Sequence, residues 1–157
     1  MTSVARSNPY SPGGTSASST LLVQIREAHE DLHFAVAHID AITRCAFPED
    51  ASFSNARWRI SQASLRRRTT AARIFDFLIS RSHDQDNTDK LKSLQAADQQ
   101  MMRRSAEHVC TWTAQSIRKN WQGYCDASRD LRTHMKSYLL AEQRTLYPLL
   151  EGAVREI

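Results

Sequence analysis

His29, Asp98, His108, Tyr138 and Glu142 interrupt stripes of the sequence that are otherwise apolar. Each is a group that costs free energy to bury without a partner. Histidines and carboxylates converging from separate helices are what hold metal ions inside helical bundles. His29, His108 and Glu142 together would make a two-histidine, one-carboxylate iron site. Tyr138, one turn before Glu142, would add a phenolate, and His134, a turn before Tyr138, stands beside the same stripe as a further ligand. The same residues also admit a metal-free reading, a buried hydrogen-bond network of His29, His108, Tyr138 and Glu142 in which each histidine donates to a carboxylate. Spacing alone leaves both readings open. His33 follows His29 by one turn but is rotated toward the edge of the stripe and reads as a surface residue. His38 falls on the face opposite His29, and His83 lies in a polar segment.

Helices must position these groups. The chain has 157 residues, the length of one domain. It holds four Gly and four Pro, two of each within the first fourteen residues, which leaves too little turn punctuation for a β-rich fold. Residues 1–19, rich in Ser, Thr, Pro and Gly, read as a disordered tail, and 20–157 as the folded domain. Thr20 is a fitting N-cap for a first helix reaching about Cys45, with Leu22, Ile25, Leu32, Val36 and Ile39 on one face. Pro48 and the acidic and small residues after it make the first connection. A second helix is expected from Asn55 to Ser80, its stripe traced through Trp58, Leu65, Ala72, Phe75 and Ile79. Thr88 caps a third, with the seam Leu91, Leu94, Asp98, Met101, Ser105, His108 and Trp112. The last helix carries Ile117, Trp121, Tyr124, Ser128, Leu131, Met135, Tyr138, Glu142, Thr145 and Leu149. Its start has two alternatives, a turn at Thr113 or one near Gly123, where the glycine would supply a left-handed stop. The later turn would bring His108 level with Tyr138 and Glu142. The earlier one would separate them and leave Trp121 and Tyr124 projecting toward a partner chain. Four amphipathic helices with short connections specify an all-α, up-and-down antiparallel four-helix bundle.

The closing stretch of the last helix, Ala-Glu-Gln-Arg-Thr-Leu-Tyr-Pro-Leu-Leu from Ala141 to Leu150, resembles the final motif of hemerythrin-like HHE cation-binding domains. The opening Arg-Glu-Ala-His-Glu-Asp-Leu-His, Arg26 to His33, resembles that family's first helix. The resemblance implies a bundle holding two irons through histidines and bridging carboxylates, serving oxygen binding, iron handling or redox sensing. By position, His29 matches the first-helix ligand, Glu142 the fourth-helix carboxylate and His108 the third-helix histidine. The family also needs a His and a Glu one turn apart on its second helix, and 55–80 contains neither. Tyr138 stands where the family has a histidine four residues before the glutamate. The ligand set is therefore degenerate.

Lost ligands on the second helix coincide with gained arginines. Seven lie between Arg57 and Arg81, against a single acid, Asp76. An unpaired Glu142 on a bundle seam is costly, so a cation must face it. Of the run Arg66, Arg67 and Arg68, Arg68 stands nearest the stripe as traced, and it or a protonated histidine is expected to replace iron as counter-charge. The formal charge of +4 also invites a polyanion-binding reading, but no helix-turn-helix or aromatic-interleaved motif accompanies it, and nucleic acid is not the expected partner. Cys45, Cys110 and Cys125 show no metal-type pairing and read as structural. No apolar run approaches the roughly 18 residues of a membrane span, and the first residues lack the plan of a secretion signal. A cytoplasmic location is expected. The sequence thus points away from an enzyme and toward a hemerythrin-like bundle that has lost di-iron binding and works as a binding or regulatory module, with a protein partner or homodimer. Two alternatives remain: an iron-binding oxygen or redox sensor or carrier using His29, His108 and Glu142, and an arginine-rich polyanion-binding module.

Overall fold

A computed structural model describes residues 16–48 and 50–155. Residues 1–15, most of the expected tail, lie outside the described residues. Five helices follow one another: α1 (Ala17–Ile42), α2 (Ser52–Arg81), α3 (Gln85–Thr111), α4 (Ala114–Lys119) and α5 (Trp121–Arg155), with no strand among the described residues. The protein is all-α and bundle-like.

Three helices start a turn earlier than the sequence predicts, and each early start has a local cause. Ser16, not Thr20, caps α1, accepting the Ser19 N–H at 3.2 Å, so 16–19 belong to the folded part and Ser18 is buried. Ahead of α2, the Asp50 carboxylate accepts the Ser52 N–H at 3.0 Å. Asp84, not Thr88, caps α3 through the Asp86 N–H at 2.9 Å.

The connection between α3 and α5 uses both alternative boundaries. α3 stops at Thr111, and Thr113 caps the short α4 by accepting the Ser116 N–H at 3.2 Å. The chain breaks again at Asn120, whose side-chain oxygen accepts the Gly123 N–H at 2.9 Å. Gly123 is therefore no left-handed stop: no glycine among the described residues has positive φ. It sits in the first turn of α5, and a Cβ there would fall 2.4 Å from the Asn120 amide nitrogen. The glycine makes room for the cap.

α1 packs along both α2 and α5, and α3 along α5. Arg26 near the start of α1 pairs with Glu151 near the end of α5 at 2.8 Å, while the Trp121 indole N–H donates to the Cys45 carbonyl at 3.0 Å beyond the other end of α1. These two helices therefore run antiparallel. One apolar cluster joins Leu21, Ile25, Leu32, Ile74, Phe75, Leu91, Leu139, Leu146 and Leu150. A second gathers Ile39, Phe53, Ala56, Ile117, Tyr124 and Cys125 where α4 closes the end. In it the Trp121 ring stacks on Tyr124 with centroids 5.5 Å apart and meets Phe53 edge-on at 5.3 Å. Tyr124 is buried and Trp121 half-buried, so neither projects toward a partner as an uninterrupted helix from Thr113 would require.

The stripe of the second helix differs from the sequence reading. Phe75 is buried and Ile79 packs against the core as traced, but Trp58 is 64% exposed and Leu65 51%, and Ala72 also faces out. The buried face runs through Arg67, Ala71, Ile74 and Leu78, one residue, or about 100°, from the face traced through Trp58 and Leu65.

Candidate functional site

That rotation decides which arginine enters the core. Arg67 is only 4% exposed and Glu142 is fully buried. From α2, Arg67 donates through one terminal nitrogen to Glu142 Oε2 on α5 at 2.8 Å, and through the other to Asp98 Oδ1 on α3 at 2.6 Å. Arg68, expected in this role, is half-buried beside a cleft and makes no ion pair among the described residues.

Glu142 is the hub. Its Oε1 accepts from His29 Nε2 on α1 at 2.8 Å, and its Oε2 also accepts from the Tyr138 hydroxyl one turn earlier. The other ring nitrogen of His29, Nδ1, is hydrogen-bonded to the Tyr147 hydroxyl 2.6 Å away. The Arg67 guanidinium lies 5.2 Å from the Tyr138 ring centroid, and Arg26 stands equally far from that of Tyr147. No buried side-chain nitrogen or oxygen among the described residues lacks a partner.

Electrostatics keeps these groups in the forms their geometry needs. Burial would lower the Arg67 pKa, but the charges of Glu142 and Asp98 override it and hold the guanidinium above its ordinary value. Burial raises the Tyr138 pKa far above its ordinary value, with the charges of Glu142 and Asp98 adding to the effect. The phenol therefore remains a donor.

Of the residues singled out in the sequence, His29, Asp98, Tyr138 and Glu142 come together and His108 does not. Its ring stands 5.6 Å from that of Tyr124 and lines a cleft with Arg132. Placing α4 between the long helices puts the crossing near Asn120, which brings Asp98 level with Glu142 and His108 level with Arg132. Arg132 precedes Glu142 by ten residues, roughly 15 Å along the helix. His134 is exposed and bonds the Asp130 carbonyl at 2.8 Å. His33, also exposed, meets the Gln143 amide at 3.1 Å.

Sequence reasoning missed two members of this network, Arg67 and Tyr147, and a separate buried cation, Arg132. Arg67 was hidden by the phase error on α2, and Tyr147 lies two residues from both Thr145 and Leu149, away from the traced stripe. Arg132 is buried on α5, where it donates to Asp40 Oδ1 at 2.6 Å, to the Thr43 hydroxyl at 3.0 Å and to Ser128. The spacing Val36, Asp40 on α1 and Ser128, Arg132 on α5 was the available signal: each charged residue follows a buried seam residue by one turn. Lys136 adds a second cation to Asp40 at 2.7 Å. Together the two hold the Asp40 carboxyl below its ordinary range against the opposing effect of burial.

These residues do not fit the di-iron group implied by the family resemblance. A guanidinium already occupies the cation position at Glu142, both His29 ring nitrogens are committed, and His108 belongs to another level of the helices. No group of three or more His, Cys, Asp or Glu placed to hold a metal occurs among the described residues. The arginines of α2 are also largely engaged within the protein: Arg66 pairs with Asp31 and, at 3.2 Å, Glu27, and Arg73 donates to Gln24 at 3.2 Å. No helix among the described residues is long and apolar enough to cross a membrane. Comparison with protein-family models, curated proteins and solved structures finds no match to this chain.

Proposed function

We propose that the chain is an up-and-down antiparallel four-helix bundle of hemerythrin-like type in which an arginine has replaced the metal, and that it acts as a non-enzymatic binding or regulatory module. The observation that carries this reading is the Arg67 guanidinium held between Glu142 and Asp98. A fixed cation at that place supplies the counter-charge that iron would otherwise supply, without redox chemistry and without an open coordination position. The network also offers a reacting molecule no entry: the cavity touching Arg67 and Tyr138 measures about 20 Å³, room for about one water. Function then belongs to the surfaces and clefts that this core holds in shape.

Metal analysis and an ultraviolet-visible spectrum, on protein purified without chelator and then offered ferrous iron anaerobically, test the reading. The expected result is no stoichiometric iron and no oxo-bridge absorption. One or two irons per chain, lost in His29→Ala or Glu142→Ala, would overturn it and restore an iron-based oxygen or redox function.

A further inference from the structure

Between α2, α3 and α5 a cleft of about 680 Å³ reaches the surface. Sites for small organic molecules typically span about 300–1,000 Å³. Trp58, Met102 and Val109, respectively 64%, 46% and 57% exposed, line it together. Large apolar side chains gathered at one opening, rather than scattered singly, mark a binding surface.

The charge of the lining is one-sided. Arg57, Arg68 and Arg132 border the cleft and no carboxylate does. Arg132 is balanced by Asp40, but Arg57 donates to the Trp112 carbonyl at 3.0 Å, and neither Arg57 nor Arg68 pairs with an acid among the described residues. The Arg57 guanidinium also lies 5.8 and 5.9 Å from the Phe53 and Tyr124 ring centroids, so Arg68 is the guanidinium at the slot with neither counter-charge nor hydrogen-bond partner among the described residues. His108 stands in the same wall, where burial and then the charges of Arg57 and Arg132 lower its pKa, so it enters as a neutral donor and adds no competing positive charge. Ser64, Arg68, Met102, Ser105 and Met135 line both this cleft and the separate small cavity at Arg67 and Tyr138.

We propose that this cleft binds a small amphiphilic organic anion, a carboxylate on a linear or aromatic apolar body, with Arg68 on the carboxylate and Trp58, Met102 and Val109 against the apolar part. The proposal rests on the reading of the chain as a binding module and names the ligand class of that module. An apolar body seated beside a charge-assisted bidentate contact combines the two strongest recognition elements a site of this size can offer.

Titrating the full chain with dodecanoate below its micellar concentration, by calorimetry and tryptophan fluorescence, tests it. One equivalent per chain is expected, with dodecyltrimethylammonium binding at least about tenfold more weakly because it presents the wrong charge. Arg68→Gln should weaken dodecanoate by about tenfold, and Arg57→Gln by less. Met102→Trp, which fills the slot and leaves both arginines in place, should abolish binding in a protein of unchanged melting temperature. Equal affinity for the anion and the cation, no saturable binding, indifference to all three substitutions, or a chain that covers the cleft by self-association reversed in Trp58→Arg would each overturn the proposal. Metal-free protein that fails to bind dodecanoate removes this proposal alone, whereas stoichiometric iron with dodecanoate binding intact removes the metal-free reading alone.

Discussion

At the scale of single residues, Glu142 and His29 were legible in the sequence because nothing but a partner justifies a carboxylate or an imidazole on an apolar stripe. Arg67 was not, since Trp58 and Leu65 are hydrophobic yet exposed, and a stripe traced through them is one residue out of phase. A misplaced tryptophan therefore moved the assignment from Arg67 to Arg68. The network makes strong demands on stability: breaking a buried ion pair from one side typically costs about 3–5 kcal/mol, because the surviving charge remains buried. Arg67→Met should destabilise by about that much in urea unfolding. Glu142→Gln, which keeps the shape and loses the charge, should destabilise by less, about 2 kcal/mol. The double variant should cost less than the sum of the two, and strict additivity would mean that the pair is not coupled. His108 makes a different prediction. Burial, then Arg57 and Arg132, hold it below the ordinary value of 6.5, so the unfolded chain takes up its proton first. Its contribution to stability is complete above pH 6.5, declines as the pH falls below that, and is fully lost beneath the lowered folded-state value. His33, lowered by its own burial and then by His29 and Lys136, acts in the same direction. Melting temperatures measured from neutral pH down to about pH 5 should fall for the native chain and fall less steeply for His108→Gln. Parallel slopes would show that His108 is unperturbed.

At the scale of elements, long helices were readable from their periodicity and their ends were not, because a cap is one side chain and several compete. Ser16 and Asp84 prevailed over Thr20 and Thr88, each of which would have begun its helix a turn later. The break before α5 could not be placed because the chain uses both of its candidate turns, and the short α4 between them shifts the level of everything on α3 relative to α5. For that reason Asp98, and not His108, reaches the charge network. The Asn120–Gly123 pair at this break has opposed local energetics. Asn120→Ala removes a side-chain cap and should cost about 1 kcal/mol. Gly123→Ala improves helix propensity by up to about 1 kcal/mol, yet its Cβ would displace the Asn120 amide that it would meet at 2.4 Å and forfeit the cap. The net change in the native background should be close to zero. In the Asn120→Ala background there is no cap to lose, and the same Gly123→Ala substitution should stabilise by about 0.5–1 kcal/mol. Chemical denaturation of the four proteins in this cycle distinguishes the account from simple helix propensity, under which Gly123→Ala would be equally stabilising in both backgrounds.

At the scale of the whole molecule, the polar ties are unevenly shared. α1 and α5 are joined along their length by Arg26–Glu151, His29–Glu142, Asp40–Arg132 and the Trp121–Cys45 bond. Among the described residues α3 buries only Leu91 and Leu94, and beyond them its one ion pair to another helix is Asp98 with Arg67. From Met101 to Thr111 every α3 residue is half-buried or exposed, and this is the segment that forms one wall of the cleft. Local opening follows where few apolar groups are buried, so amide protons of 101–111 should exchange through a sub-global opening well below the free energy of global unfolding, while those near Ile25 and Leu139, both fully buried, exchange only with it. Asp98→Asn removes the charge that ties this half of α3 to the core and should widen the difference, extending fast exchange back toward Leu94 with little change around Leu139. An anion seated between α2 and α3 should do the reverse, because a ligand that binds only the closed form adds its binding free energy to the cost of opening. Hydrogen exchange with and without dodecanoate should therefore show protection confined to 101–111 and the facing residues of α2. Uniform protection along all the long helices would mean that α3 does not open as a separate unit, and that the cleft is a fixed feature of the fold and not one that closes on its occupant.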